Sequence, residues 1–284
     1  MAGIGEEIRE RLRRWTLDLG GPGTRERLEK LTPPSNEFGV DPYGFDLEYL
    51  QAAVAPVLWL YRKYFRVQAF GLENVPGEGP VLLVANHSGQ LPFDAAMVET
   101  ACLADKDPPR AVRALVDKWV PTLPFVSTIF SRCGQIVGTP ENCRRLLAAD
   151  EALLVFPEGT RGLNKPFSER YTLKDFGLGF LRLALESHAP IVPVGVVGAE
   201  EQAPGIFDLK PIANLFAFPH FPITPTVLPF PLPVRYRLWF GQPLRFDGSP
   251  DDEDAVLEAK VARVKGAVAT QIALGLEQRK HVFW

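Results

Sequence analysis

From about residue 67 onward the chain alternates short apolar runs with helical patterns, and this alternation limits the folds open to it more than any other feature. The runs are PVLLVA (80–85), AVRALV (111–116), QIVG (135–138), ALLVF (152–156), PIVPVGVVG (190–198) and VRYRLWF (234–240). Such stretches, rich in Val, Ile and Leu, suit strands buried on both faces. Between them, PENCRRLLAAD follows Thr139, a good N-cap, with Pro140 at the first helical position. LKDFGLGFLRLALESH is a second helical pattern, and the chain closes with a third. There Ser249 is read as the cap and Pro250 as the first helical residue, with Val261, Val264, Val268 and Ile272 on one face. Strands alternating with helices predict an α/β fold with a mostly parallel central sheet flanked by helices.

Two segments lie outside this pattern. Ile4, Ile8, Leu12, Trp15 and Leu19 form a narrow helical stripe with arginines nearby, and FDLEYLQAAVAPVLWLYRKYFRV adds an apolar helix that Pro56 is expected to kink or break. An N-terminal helical arm over 1–65 is therefore expected beside a body over 66–284. The arm either docks on that body or lies on an anionic lipid surface, and both readings are open. Within 204–233, prolines interleave with Phe207, Phe216, Phe218, Phe221 and Phe230, too densely for ordinary helix or central strand. This segment is read either as an irregular lid or as the lining of a lipid access route.

At 284 residues with 46% hydrophobic side chains, the chain can bury a substantial core. A formal charge of -3 supplies no global positive field, so nucleic acid is not expected as a partner. Cys102, Cys133 and Cys143 have neither an even number nor CxxC spacing, which speaks against a disulfide framework or a zinc site and fits a reducing, cytosolic compartment. The first residues lack the apolar core of a signal peptide, and the longest apolar run (52–60) is far short of the roughly 18–20 residues that span a bilayer. No transmembrane helix is expected, and membrane contact should be peripheral, at the cytoplasmic face.

Chemistry concentrates in two stretches. ANHSGQLPFD places His87 directly after an apolar strand, at the carboxyl end where open α/β sheets hold ligands. Asp94 is the nearest carboxylate that could orient the ring. On one continuous helix the two would stand about 10 Å apart. Gly89 and Pro92 instead suggest a loop and then a helix start at 92, with Asp94 in its first turn, so that the loop folds His87 back onto it. The competing reading makes Asp94 a favourable first-turn acid and His87 an unrelated core residue; spacing does not decide between them. The second stretch, VFPEGTRG (155–162), also follows a strand. Gly159 permits close backbone approach, Thr160 offers a hydroxyl, and Arg161 a guanidinium fork suited to phosphate or carboxylate.

Together, NHSGQLPFD, GQIVGTPENCRRLL, LLVFPEGTRG and APIVPVGVVGAEE resemble, in order and rough spacing, the four motif blocks of the glycerolipid and lysophospholipid acyltransferases. The resemblance covers roughly residues 66–246 and is most specific at FPEGTR. It implies transfer of a fatty acyl group from acyl-CoA or acyl carrier protein to a hydroxyl of a lipid acceptor, with no metal and no further cofactor. It implies His87 as general base and Asp94 as its orienting acid, with Glu158, Gly159, Thr160 and Arg161 positioning the acceptor. Six residues separate His87 from Asp94, where the usual first motif has four. That departure, like the proline-rich segment, is similar to the neutral-lipid branch of diacylglycerol and phytyl ester acyltransferases. The Arg that often ends the second motif is missing from IVGTP, and Arg144 and Arg145 a few residues on are candidate substitutes for contacting the acceptor. Backbone amides near Gly89 are candidates for stabilising the oxyanion. Rival readings are a lipid-binding pseudoenzyme and a thioester hydrolase. Ser88 adjoins His87, but no GxSxG elbow supports a serine esterase.

Overall fold

Strands that must be buried on both faces need helices above and below, and the computed structural model has that layering. It describes residues 23–31, 36–87, 93–123, 125–163, 165–203 and 231–283, together with residues 6–8, 10, 11, 14, 15, 207, 208, 222 and 223. The strands are β1 (Gln68–Phe70), β2 (Val81–Ala85), β3 (Val112–Val116), β4 (Ile136–Val137), β5 (Ala152–Val155), β6 (Ile191–Val197), β7 (Phe207–Asp208), β8 (Pro222–Ile223) and β9 (Arg237–Phe240). Seven form one sheet in the order β1-β9-β6-β2-β5-β3-β4. The five strands from β6 to β4 are mutually parallel, while β9 runs antiparallel to β6 and carries β1 parallel to itself. All six apolar runs contain strands of this sheet; Gln68–Phe70 is the addition that periodicity does not show.

Every residue of β2 and β6 is buried. On β2 the alternation divides the core: Val81, Leu83 and Ala85 face one helical layer, Leu82 and Val84 the other. The helices are α1 (Thr24–Glu29), α2 (Leu47–Trp59), α3 (Phe93–Ala104), α4 (Val126–Cys133), α5 (Pro140–Ala148), α6 (Thr160–Leu163), α7 (Gly179–Glu186), α8 (Ala199–Gln202) and α9 (Asp254–Glu277). Met97, Val98 and Ala101 of α3 belong to the first layer; Leu146 and Leu147 of α5, Leu181 and Leu185 of α7, and the Leu257–Val261–Val264–Val268–Ile272 stripe of α9 belong to the second. Helix α9 comes so close to the sheet that a Cβ on Gly195 would lie 2.5 Å from the backbone of Gln271.

Thr139 caps α5 as expected, its hydroxyl accepting from Asn142 N at 3.2 Å, with Pro140 first in the helix. Three expectations are corrected. Pro56 does not break its helix: α2 runs through it, and one wider turn over Leu60–Tyr64, closed by Phe65 N donating to Leu60 O at 2.7 Å, follows directly. Helix α9 begins at Asp254, not at Pro250, because Ser249 closes a turn of its own, accepting from Asp251 N at 3.1 Å on its side chain and from Asp252 N at 3.1 Å on its carbonyl. The pattern at 173–188 becomes a helix only over Gly179–Glu186: Gly177 N, which would close a turn on residue 173, donates to Pro157 O instead.

The segment from 47 to 65 packs into the body, with Tyr61 and Phe65 buried in the first layer, while Leu28, Leu31, Val54 and Leu58 cluster with Leu103 and Ala104 of α3. Ile8 and Trp15 are exposed; Ile4, Leu12 and Leu19 lie outside the described residues. Of the proline-rich segment, the described part between 204 and 230 is the two-residue β7–β8 ladder, so the lid reading also falls outside them. Among the described residues, no helix is long and apolar enough to cross a membrane.

Candidate active site

Because β6, β2, β5, β3 and β4 are parallel, their carboxyl ends share one edge, and both chemical stretches emerge there. Asn86, the first residue past β2, is fully buried and clamps that strand to β6: its amide nitrogen donates to Val196 O at 3.0 Å and its oxygen accepts from Val196 N at 2.7 Å. His87 follows from this fixed point. Its Nδ1 lies 2.7 Å from Asp94 Oδ2, and the other oxygen, Oδ1, accepts from Ala95 N at 2.8 Å. Asp94 is 0% exposed, in the first turn of α3, which starts at Phe93. The two residues are thus hydrogen-bonded across the intervening loop; Ser88, Gly89 and Pro92 lie outside the described residues. An ionised carboxylate only accepts, so Nδ1 is the donor in this bond, and in the neutral imidazole Nε2 is the nitrogen left with a lone pair. The Phe156 ring stacks on the imidazole with centroids 4.2 Å apart, which limits its tilt.

The FPEGTR stretch meets His87 from the neighbouring strand. Glu158 is 1% exposed. One oxygen accepts from His87 N at 3.0 Å and the other from Lys174 N at 2.7 Å, so this carboxylate holds backbone on both sides of the site. Gly159 has φ +57, the left-handed region where glycine is favoured. At Gly162 the reason for glycine is space: a Cβ there would lie 2.9 Å from His87 O and 3.0 Å from His87 Cβ. Arg161 is exposed and donates to Asp175 O at 3.1 Å. The side chain of Thr160 lies outside the described residues.

Arg144 and Arg145 are not brought to this edge by the contacts they make. Arg144 pairs with Glu186 at 2.8 Å, next to the amino end of β6, and Arg145 pairs with Glu141 one turn back on its own helix at 2.7 Å. Two strands away from His87, a cavity of about 550 Å³ opens beside β3 and β4, lined by Tyr43, Val116, Val120, Phe130 and Asn142 among others. Among the described residues, no His, Cys, Asp and Glu side chains gather in a group able to hold a metal.

Several residues of the site are not evident from motif spacing. Asn86 sits inside the quoted ANHS, and Phe156 and Gly162 inside FPEGTRG, so position could have pointed to them. Lys165 carries no sequence signal; it lies 3.6 Å from Glu158 and 3.1 Å from Glu200. Burial pushes the Glu200 carboxyl up, with Lys165 opposing, and burial together with Glu201 holds the Tyr171 hydroxyl well above its ordinary range.

A family model described as Acyltransferase matches residues 66–197. An uncharacterized protein of Mycobacterium tuberculosis is 36% identical over 262 residues, covering 88% of this chain and 73% of that one. A probable 1-acyl-sn-glycerol-3-phosphate acyltransferase of Mycoplasma pneumoniae is 31% identical over 149 residues, 50% of this chain and 53% of its own. A chicken protein named a DGAT1/2-independent enzyme synthesizing storage lipids is 26% identical over 203 residues, 71% of this chain and 59% of its own. The crystal structure of the 1-acyl-sn-glycerophosphate acyltransferase PlsC from Thermotoga maritima superposes with a TM-score of 0.55 over 98% of this chain and 100% of that one, at 15% identity, a likeness of fold. With the motif blocks and the family match in agreement, the chain belongs to the Acyltransferase family and is an acyltransferase.

Proposed function

We propose that the protein transfers a fatty acyl group from a thioester, acyl-CoA or acyl carrier protein, to a hydroxyl of a glycerolipid or lysophospholipid at a membrane surface. The observation that carries this reading is the 2.7 Å bond from His87 Nδ1 to buried Asp94, at the carboxyl end of a central parallel strand. With Nδ1–H held by Asp94, Nε2 accepts the proton of the acceptor hydroxyl as its oxygen attacks the thioester carbonyl. The tetrahedral intermediate collapses, the C–S bond breaks, and the thiolate takes the proton back from Nε2, leaving ester and free thiol. No covalent acyl-enzyme is required.

In this reading Glu158 positions His87 instead of touching the acceptor, since both its oxygens hold backbone amides. Exposed Arg161 is assigned to the acceptor's anionic group, as the Mycoplasma relative's name would require. A neutral acceptor is the second reading, favoured by the six residues between His87 and Asp94 and by the name of the chicken relative.

The test is mass-spectrometric product analysis of detergent-solubilised protein given acyl-CoA and a panel of lysophosphatidic acid, other lysophospholipids, monoacylglycerol, diacylglycerol and a long-chain alcohol. His87→Ala is expected to lower turnover about 10²- to 10⁴-fold. An unchanged product level in that variant would remove His87 from the chemistry. Thiol released with water alone would indicate a hydrolase, and no product from any acceptor, with acyl-CoA or with acyl carrier protein supplied in its place, would leave a lipid-binding pseudoenzyme.

A further inference from the structure

Behind Glu158 runs a line of buried charges that acyl transfer does not itself require. Lys165 Nζ stands 3.1 Å from Glu200 Oε1 and 3.6 Å from Glu158 Oε2, and donates to Thr172 O at 3.3 Å. The Lys165 side chain is 3% exposed, that of Glu158 0% and that of Glu200 7%. Further along, Glu200 Oε2 accepts from Tyr171 N at 2.9 Å, the Tyr171 hydroxyl donates to Glu201 and accepts from Gly198 N at 2.9 Å, and Arg279 pairs with Glu201. On the other side of Glu158, the Lys174 ammonium turns away to Glu169, and the His87 ring is engaged by Asp94. Among the described residues, Lys165 is thus the cation that separates Glu158 from Glu200.

Burying a lysine is costly unless its charge is used, and here it lies between two carboxylates. Without it, Glu158 and Glu200 would face each other in a desolvated site, where two like charges force one carboxyl to hold its proton. A protonated carboxyl donates through one of its oxygens. Glu158 has none to spare, because each oxygen already accepts a backbone amide, from His87 and from Lys174. A proton on either oxygen makes that oxygen a weaker acceptor and loosens the amide it holds.

We propose that Lys165 is a positioning residue for acyl transfer: its ammonium, set between Glu158 and Glu200, balances their facing charges, so that both Glu158 oxygens hold the His87 and Lys174 amides. The proposal rests on the reading of His87 as the base. In Lys165→Met the two buried carboxylates lose their shared counter-charge, so turnover falls toward low pH, where repulsion between them is relieved by uptake of a proton, and returns at higher pH. Removing the opposing carboxylate as well, in Lys165→Met/Glu200→Gln, relieves Glu158 of that repulsion; the amide oxygen of the glutamine that replaces Glu200 can still accept the Tyr171 amide.

Turnover is measured from pH 5.5 to 9 for wild type, Lys165→Met and the double variant, with thermal unfolding as a check of the fold. The Lys174 amide is followed in parallel by NMR with ¹⁵N-lysine. That amide sits on Glu158 Oε2 at 2.7 Å and reports its ionisation without reference to turnover. Lys165→Met is expected to move the acid limb up by about one pH unit or more, a loss of roughly tenfold on that limb. The Lys174 amide should titrate at the same midpoint, and the double variant should recover both. A folded Lys165→Met with the wild-type pH profile and a flat Lys174 amide overturns the proposal. So does a loss equal at every pH that the second substitution does not relieve. If wild type itself forms no acyl product, the acyl-transfer reading fails, while the Lys174 titration still decides whether Lys165 balances the charge of Glu158.

Discussion

Asp94→Asn keeps size and shape while removing one charge and one acceptor, and the geometry predicts its effect closely. Among the described residues the carboxylate accepts from His87 Nδ1–H at 2.7 Å on Oδ2 and from Ala95 N–H at 2.8 Å on Oδ1. An asparagine has one oxygen and one NH₂. Turned with its oxygen to Ala95, it presents NH₂ to Nδ1; the ring proton then moves to Nε2, and the base has no lone pair for the acceptor hydroxyl. Turned with its oxygen to His87, it sets NH₂ against the Ala95 N–H, an unsatisfied pairing costing about 1–3 kcal/mol. In either orientation the imidazolium formed during attack loses its counter-charge, worth about 4 kcal/mol at ~4 Å and an effective dielectric near 20. That is roughly a thousandfold in rate, so kcat should fall 10²- to 10⁴-fold with KM changed only slightly. Rates are read from ester product and released thiol under saturating acceptor. A kcat within about tenfold of wild type, with His87→Ala inactive, would refute the reasoning and leave Asp94 as a helix-end acid.

Glu158→Gln should lower kcat more than it raises the acceptor KM, because one of its two amide partners loses an acceptor; a rise in KM at constant kcat would instead place Glu158 on the acceptor. Gly162→Ala should cost about 1–3 kcal/mol in urea unfolding and depress turnover, since the new Cβ would sit 2.9 Å from His87 O, where backbone must move. Gly159→Ala, with open space but φ +57, should cost only about 1 kcal/mol; equal effects at the two glycines would refute the contact argument.

The sheet was legible because parallel strands covered on both faces are spelled as unbroken apolar runs, so PVLLVA and PIVPVGVVG announce themselves without any knowledge of register. The His87–Asp94 bond was half legible: a strand end and a helix start can be read, but the fold of the loop between them is decided by tertiary contacts. The long-range polar contacts were not legible. Glu158 looked like a residue for ligand, because nothing local indicates that its oxygens are occupied by amides at 87 and 174. A neighbouring bond bears on the shortened helix at 179–186: Gly177 N–H, which would close a turn on residue 173, is given to Pro157 O at 3.1 Å. Arg144 and Arg145 were proposed for charge and nearness in sequence, yet their partners, Glu186 and Glu141, are set by which way α5 faces.

The anchors of His87 also bear on how the protein is made. Asn86 is bound to Val196, 110 residues later, and His87 to Glu158, 71 residues later. Contacts so distant in the chain close slowly, because the loop entropy is lost before the bond forms. On the ribosome, β2 therefore emerges long before the strand that clamps it, and its fully apolar sequence must wait beside β5 until β6 arrives. A pause in translation between Glu158 and Val196 would hold the nascent enzyme with a central strand edge unpaired, the state in which it is most prone to aggregate.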